Sequence, residues 1–168
     1  MSKAFTKDDA EDAPLLIPRR APLPDGVPNY VTESGLLALR TELSELVQAR
    51  ASVLADPERQ RDANALSARI AELEGRLGSA ELVPATGQPR DQVRFGATVS
   101  VLSANGAERQ YRIVGVDEAD PSEGRIAFVA PLARALLGKS VGEQTLVRTP
   151  HGEETIEVTA IRYDERSD

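Results

Sequence analysis

The segment 56–62 has the composition of a cation site, because three of its seven residues carry carboxylates. Asp56, Glu58 and Asp62 occur in the sequence ADPERQRDA, and carboxylate oxygens are the ligands that hard divalent cations prefer. The same residues also suit the start of a helix, because an aspartate can cap free backbone N–H groups and Pro57 is favoured at the first helical position. The helix dipole favours Glu58 in the first turn. Because a helix start explains these residues, we predict a turn here and no metal site.

Three arginines, Arg50, Arg59 and Arg61, surround this turn. They suit a contact with RNA phosphate or with an acidic protein surface, but a solvated charged surface has the same composition. The sequence leaves these interpretations open. His151, the one histidine of the chain, lies in the turn-like sequence TPHGEE without a recognisable serine or cysteine nucleophile near it. We therefore predict no catalytic residue.

The residues on both sides of the turn carry apolar side chains at alternating steps of three and four, which is the spacing of a coiled coil. The two stripes, in which Arg50 is the one charged member, consist of Leu36, Leu39, Leu43, Leu46, Arg50 and Val53, and of Ala63, Leu66, Ile70, Leu73, Leu77 and Ala80. Stripes this narrow are buried only against each other. The pattern predicts an antiparallel coiled-coil hairpin with arms at 33–55 and 57–78, and Thr32 as the N-cap of the first arm.

After residue 92 the hydrophobic period becomes two, which is typical of β-strands. The predicted strands span 93–103, 108–116, 124–130, 143–149 and 154–163. Turns are expected at Asn105-Gly106, Pro121-Ser122 and His151-Gly152. A short helix is expected from Pro131 to Gly138. This order predicts an α+β fold, with the hairpin followed by a small antiparallel sheet that carries one short helix.

Composition divides the chain into four parts. Residues 1–30 contain five prolines and mixed charges, so we predict a disordered or extended tail. Residues 31–82 form the hairpin. Residues 83–92 contain two prolines and a glycine, which is typical of a linker. Residues 93–165 form the globular domain.

The composition also argues against several functional classes. Lysine and arginine number 20 against 27 aspartate and glutamate residues, for a formal net charge of -7, so the whole chain is not suited to neutralise DNA phosphates. Three Phe, three Tyr and no Trp leave little material for a large ligand pocket. The chain has no cysteine and no apolar stretch long enough for a membrane span. We expect a cytoplasmic protein without disulfides, thiolate metal sites or membrane contact.

Four stretches of the second half resemble the C-terminal domain of the bacterial Gre transcription factors. They are VRFGATVSVL, YRIVGVDEAD, APLARALLGKSVGE and TPHGEETIEVTAIRY, and they follow one another over residues 93–163. In addition, TESGLLALRTEL at 32–43 and ARIAELEGRLGSAELV at 68–83 resemble the two arms of the Gre coiled coil. The resemblance covers nearly all of the chain after the tail.

This resemblance implies a coiled-coil hairpin joined to an FKBP-like globular domain. In Gre factors the globular domain docks at the rim of the secondary channel of RNA polymerase, and the coiled coil enters the channel. In cleavage-stimulating members, acidic residues at the coil tip help to hold a catalytic Mg²⁺, and the polymerase then hydrolyses the RNA of a backtracked complex. The implied partner is the RNA polymerase core, with indirect contact to nascent RNA or DNA in the transcription complex.

The coil tip departs from the cleavage motif of that family. Its residues here are Asp56, Glu58, Arg59 and Arg61, and the surrounding sequence contains no Gly-Asp followed by Glu-Asn. No catalytic residue can therefore be carried over. Our register also gives the hairpin roughly 16 to 18 residues fewer than a Gre coil, which shortens its reach by roughly 12 Å. In this respect the chain resembles the regulator Rnk, which has a shortened coil without the acidic tip.

The resemblance places the polymerase contact at the start of the short helix. Pro131 matches the proline of an Asp-Ser-Pro motif common in cleavage factors, whereas Val129 stands in place of its aspartate. A helix start with exposed apolar neighbours can fill a groove on a protein partner. We predict that Val129, Pro131, Leu132 and Arg134 contact RNA polymerase.

Together these features predict a monomeric binding protein that is not an enzyme and needs no cofactor, a Gre-family factor that modulates transcription without efficient transcript cleavage. One alternative is a true cleavage factor that delivers Mg²⁺ through its tip carboxylates. Another is a weak prolyl isomerase or chaperone, because some isomerases share the implied globular fold. The small number of aromatic residues argues against a proline-binding pocket.

Overall fold

The computed structural model describes residues 20–164, which divide into two compact units. One unit contains residues 39–77, and the other contains residues 20–38 together with 78–164. The helices and strands are β1 (Asn29–Val31), α1 (Glu33–Leu54), α2 (Gln60–Gly78), β2 (Ala80–Leu82), β3 (Thr98–Ser103), β4 (Glu108–Val114), β5 (Arg125–Ala127), α3 (Pro131–Leu136), β6 (Gln144–Thr149) and β7 (Gly152–Arg162). The predicted α+β class is confirmed. Residues 1–19 of the predicted tail and residue 165 of the predicted globular domain lie outside the described residues.

Helices α1 and α2 pack along the two predicted stripes. Val53, Ala63 and Leu66 form one buried cluster, and Leu46 packs against it. Leu73, further along α2, is completely buried. Because only two residues separate α1 from the 3₁₀ turn that leads into α2, the unit is a helical hairpin with arms close to the predicted bounds.

An ion pair joins the two helices outside the apolar stripes. Arg69 of α2 contacts Glu42 of α1 at 3.3 Å and Glu72 of its own helix at 2.8 Å. No helix in the described part of the chain is long and apolar enough to span a membrane.

The parallel pairing of β1 with β2 was not predicted. Asn29 lies opposite Ala80, and Val31 lies opposite Leu82. The side chain of Asn29 also donates a hydrogen bond to Ser79 Oγ at 3.1 Å. Strands of three residues are too short to show a period of two. The sequence therefore places β1 at the end of the predicted tail and β2 at the end of the predicted hairpin.

The sheet of the second unit contains the five strands that the sequence predicted, in the order β5-β4-β3-β7-β6. The β3–β4 and β6–β7 connections lie at the predicted turns. Gly106 and Gly152 have φ angles of 81° and 120° there, a conformation that glycine adopts without steric cost.

One edge of this sheet contradicts the predicted antiparallel arrangement, because β5 runs parallel to β4. Arg112 of β4 lies opposite Arg125 of β5. Between the two strands the chain forms two 3₁₀ turns, Val116–Glu118 and Pro121–Glu123. Parallel neighbours require such a crossover in place of a tight hairpin. The Pro121-Ser122 pattern therefore belongs to a crossover.

The core of the second unit lies between α3 and one face of the sheet. Its buried members are Val93, Ala97, Val99, Val101, Ile113, Ile126, Ala133, Leu136, Val147, Ile156 and Val158. Strand β3 shows the expected alternation, since Val99 and Val101 are buried while Ser100 and Leu102 are partly exposed. This packing fixes the position of α3 on the sheet.

Glu118, in the crossover after β4, fixes the residue at which α1 begins. Its carboxylate accepts hydrogen bonds from the Thr32 backbone N–H at 3.0 Å, from the Thr32 hydroxyl and from the Gly115 N–H at 3.2 Å. Thr32 Oγ1 in turn accepts the Gly35 N–H at 3.0 Å, so the predicted N-cap is confirmed. The N-terminal turn of α1, which belongs to the second unit, is therefore held by the crossover.

A buried ion pair attaches residue 20 to the same crossover. Arg20 Nη1 lies 2.8 Å from Asp117 Oδ1, and the two side chains are 8% and 4% exposed. Residues 20–28 contain no helix or strand, as expected of an extended segment, but they are held at this end. Residues 20–38 group with the sheet, so one boundary between the two units falls inside α1 at residue 39.

Tyr163 joins the end of β7 to the segment that precedes β3. Its hydroxyl donates a hydrogen bond to the Gln92 carbonyl at 2.7 Å and accepts one from the Arg94 N–H at 2.9 Å. Partial burial raises the pKa of Tyr163 above its ordinary value.

Replacing Tyr163 with phenylalanine should lower the free energy of unfolding by about 1–2 kcal/mol, because two backbone groups lose their partner. Since the folded-state pKa of Tyr163 is raised, its contribution should be complete below about pH 10, where unfolded tyrosine is neutral, and should diminish as the pH rises further. Urea unfolding of both proteins at pH 7 and between pH 9 and 11 measures this. Equal stabilities at pH 7 would contradict the prediction.

Candidate functional site

The start of α3 presents the four residues predicted to contact a partner. Pro131 occupies the first helical position, where its missing N–H costs nothing. Ala133 points into the core, whereas Pro131 and Arg134 are exposed, and Val129 and Leu132 are half-buried. We call these four residues, Val129, Pro131, Leu132 and Arg134, the α3 face. Leu132 also packs against the core, so it is less accessible than the sequence suggested.

A groove adjoins the α3 face at Leu132. It runs between α3, β4 and the β6–β7 turn and encloses about 940 Å³. Arg109 and Tyr111 of β4 line one side, and Arg148 and His151 line the other. A smaller cavity of about 40 Å³ shares Leu132, Tyr111 and both arginines with this groove.

The arginines of the groove are only loosely paired. Arg109 Nη1 lies 3.8 Å from Glu154 Oε2, and Arg148 Nη2 lies 3.6 Å from Glu153 Oε1. The Tyr111 hydroxyl, and secondly the Glu154 carboxylate, raise the pKa of Arg109. Exposed pairs at such distances contribute little to stability. Both guanidinium groups can therefore turn towards an acidic group of a partner.

The turn between α1 and α2 has the predicted capping residues in place. Asp56 Oδ1 accepts the Glu58 backbone N–H at 2.9 Å, and Pro57 is the first residue of the 3₁₀ turn Pro57–Arg59. The interpretation of Asp56 as a helix cap is thereby confirmed. Glu58 and Arg61 are exposed at this tip.

The tip carboxylates do not converge on one point. Asp62 Oδ2 accepts two hydrogen bonds from Arg59, at 2.9 and 3.0 Å, while Asp56 caps the following turn. Among residues 20–164, no group of three or more His, Cys, Asp or Glu side chains is placed to hold a metal ion. His151 is exposed in the β6–β7 turn, as its sequence context predicted.

An aromatic cluster lies next to the α3 face. The ring centroids of Tyr30, Phe95 and Phe128 are 5.4 to 5.7 Å apart, and Phe128 directly precedes Val129. Such contacts stabilise beyond the buried area alone. The cluster gathers half of the six aromatic residues of the chain and supports the loop that leads into α3.

Sequence reasoning identified the α3 face and the tip but missed the groove. Two polar residues on the inward face of the sheet would have indicated it. Ser103 follows Val99 and Val101 at steps of two on β3, and Arg109 lies opposite Val101 on β4. Polar residues at inward positions of a strand mark places where the core is incomplete.

Comparison with known proteins finds relatives that all belong to one family. Residues 88–163 match the family described as "Transcription elongation factor, GreA/GreB, C-term". The chain is 33% identical to transcription elongation factor GreB of Neisseria meningitidis over 156 residues, covering 80% of this chain and 94% of that protein. It is 36% identical to GreA of Anaeromyxobacter over 153 residues, covering 80% of this chain and 92% of that protein.

Among solved structures, the GreA/GreB factor of Nitrosomonas europaea is 24% identical, with a TM-score of 0.42 and coverage of 80% of this chain and 98% of that one. Because this identity and this TM-score are low, family membership rests on the sequence relatives.

The alignment lengths also show how many aligned positions of a relative have no counterpart in this chain. The Anaeromyxobacter alignment spans 153 positions but covers 80% of the 168 residues, which is about 134 residues, so about 19 positions have no counterpart here. A second GreA, from Halorhodospira halophila, aligns over 101 positions and 59% of the chain, about 99 residues, with almost no gap. The number of unmatched positions, about 19, is close to the shortening that we expect of the hairpin.

Proposed function

Because the chain belongs to the GreA/GreB family of transcription elongation factors, we propose that it binds the RNA polymerase core and modulates transcription without efficient transcript cleavage. The globular unit carries the main contact at the secondary-channel rim, and the hairpin enters the channel as a short coiled coil. Nascent RNA or DNA is contacted only within the transcription complex. The FKBP-like character of the globular unit is part of the same proposal.

The α3 face is the observation that carries this proposal. Pro131 and Arg134 are exposed on a helix whose other side is fixed in the core, so the backbone at both residues is set before any partner arrives. A rigid surface loses little conformational entropy on binding. The half-buried Val129 and Leu132 add apolar area next to them, which suits a protein partner.

The tip supports the non-catalytic part of the proposal. Asp56 and Asp62 are each engaged by other groups of the turn, which leaves Glu58 as the acidic tip residue without a side-chain partner among residues 20–164. One carboxylate gives Mg²⁺ too few protein ligands. Binding of the polymerase and stimulation of cleavage are therefore separable here, and we assign only the first to this chain.

Reversing the charge of Arg134 should weaken binding to RNA polymerase core about tenfold, which is a typical effect for an interface residue that contacts its partner. Arg134→Glu is preferred to a change at Leu132, because Leu132 contacts the core. Arg162→Glu is the matched control, since Arg162 is also an exposed arginine and lies on β7. A titration of labelled protein with core polymerase measures both affinities.

Wild-type protein that fails to bind core polymerase would refute the proposed function. Equal weakening by Arg134→Glu and Arg162→Glu would show a general charge effect and would remove the contact from the α3 face.

A further inference from the structure

The small cavity beneath the groove has an apolar floor with one polar atom. Val101, Val147 and Ile156 line it together with Ser103, and all four residues are at most 7% exposed. Ser103 Oγ has no hydrogen-bond partner within residues 20–164. A buried hydroxyl without a partner loses the hydrogen bonds that it makes with water in the unfolded chain, so its presence here opposes folding.

The sheet accounts for the direction of this hydroxyl. Ser103 follows Val99 and Val101 at steps of two on β3, and it lies opposite Ile156 of β7. Successive side chains of a strand point to opposite faces, so Ser103 shares the core-facing side of the sheet. Alanine or valine at this position would complete the apolar floor, and neither would leave an unsatisfied polar atom.

The cavity opens beside the α3 face. Leu132 and Tyr111 line both the cavity and the wider groove, as do Arg109 and Arg148. A partner held on the α3 face therefore has a side chain of its own next to this opening. Glu153 and Glu154 also line the groove, so an acidic residue of the partner would compete with them for Arg109 or Arg148 at the mouth.

We propose that this cavity, which we call the Ser103 pocket, receives one side chain of the polymerase surface that docks on the α3 face. The side chain is apolar along its length, to match Val101, Val147 and Leu132, and it ends in an atom that hydrogen-bonds with Ser103 Oγ. An acidic residue next to it in the partner pairs with Arg109 or Arg148. This inference rests on the proposed function and adds to it a pocket that shares Leu132 with the α3 face.

The pocket predicts opposite effects of one substitution on stability and on binding. Ser103→Ala removes the unsatisfied hydroxyl from the free protein, so the thermal midpoint should stay unchanged or rise. The same change removes a hydrogen bond of the complex, so the dissociation constant for core polymerase should increase roughly three- to tenfold. A residue that serves only the fold would not weaken binding while preserving stability.

A second variant tests whether binding requires the empty volume of the pocket. Ser103→Val adds two methyl groups to a cavity of about 40 Å³ and keeps the residue compatible with a strand. It should weaken binding more than Ser103→Ala, because it blocks the side chain of the partner as well as removing the hydroxyl. Ser100→Ala is the control, since Ser100 lies on the outer face of the same strand and is partly exposed.

Each outcome of the titration has a separate meaning. If wild-type protein does not bind core polymerase, the proposed function fails, and the pocket fails with it. If Arg134→Glu weakens binding but both Ser103 variants bind like wild type, the proposed function stands and the Ser103 pocket is refuted. A lowered thermal midpoint of Ser103→Ala would also refute the pocket, because it would show that the hydroxyl stabilises the free fold.

Discussion

Replacing Gly35 with alanine should destabilise the protein by about 2 kcal/mol, although Gly35 lies in the first turns of α1 and alanine is the better helix former. A Cβ atom at this position would overlap the Glu118 side chain at Cδ and Cγ. Glu118 cannot move aside without cost, because its carboxylate holds Thr32 and Gly115. The substitution should therefore detach the start of α1 from the crossover.

The expected size follows from two opposing contributions. Hydrogen bonds to a charged group contribute roughly 1.5–3 kcal/mol each, and Glu118 accepts bonds from the Thr32 N–H, the Thr32 hydroxyl and the Gly115 N–H. Alanine recovers roughly 1 kcal/mol of helix propensity relative to glycine. Loss of two of these bonds already exceeds the gain, so the net effect is destabilising.

Gly75 supplies the matched control, because it lies within α2 and nothing surrounds the place where its Cβ would stand. Gly75→Ala should stabilise the protein by up to about 1 kcal/mol. Gly35→Ala in a Glu118→Ala background should lose its penalty, since the clash and the hydrogen bonds are already gone. Urea unfolding followed by circular dichroism measures the four variants, including Glu118→Ala alone, against wild type. A Gly35→Ala protein as stable as Gly75→Ala would contradict this account of the start of α1.

The hairpin was predictable because its determinants are local in sequence. The steps of three and four that place Val53, Ala63 and Leu66 on one seam can be read from the residues alone, and these residues form the buried cluster. The same holds for the turn, where Asp56 caps the residues that follow it. Periodicity and capping involve neighbours within about one helical turn.

The attachments of the N-terminal region depend on contacts between distant residues. Thr32 meets Glu118 across 86 positions, and Arg20 meets Asp117 across 97. Neither pair has a signature in the sequence, because an acidic residue in a crossover looks like any solvated charge. The short strand β1 and the unit boundary inside α1 follow from these contacts, so the sequence could not indicate them.

The candidate site also has one part that local sequence predicts and one part that depends on contacts between distant residues. Resemblance and helix-start chemistry identified Pro131 and its neighbours, which are adjacent in the chain. The Ser103 pocket combines side chains from β3, β4, β6, β7 and α3, and only the strand register brings them together. The number of aromatic residues could not indicate this pocket, because its floor is formed by aliphatic side chains around one serine.

The protein should fail to stimulate transcript cleavage and, in excess, should reduce the cleavage produced by a true cleavage factor to the polymerase's own rate. The first reason is chemical. Asp56 is used as a helix cap and Asp62 is paired with Arg59, while hard cations require several oxygen ligands at once. Glu58 alone cannot add a cation to the active centre of the polymerase.

The second reason is reach. If the approximately 19 alignment positions without a counterpart belong to the hairpin, each arm is shorter by about nine residues, or about 14 Å at 1.5 Å per residue. Displacements of about 1 Å are enough to impair catalysis. A carboxylate at this tip would therefore remain far from the site that a longer coil reaches, even if its chemistry were suitable.

The decisive assay uses backtracked RNA polymerase with Mg²⁺ and follows the release of short RNA 3′ fragments. We expect no acceleration by the wild-type chain, and we expect its excess to suppress the fragments released by a cleavage factor, because the proposed function places both proteins in the same channel. Arg134→Glu should suppress less at equal concentration, since it binds more weakly, whereas Glu58→Ala should suppress as well as wild type. Fragment release well above the polymerase's own rate, lost on changing Asp56 or Glu58 to alanine, would instead establish a cleavage factor whose unusual tip still positions Mg²⁺.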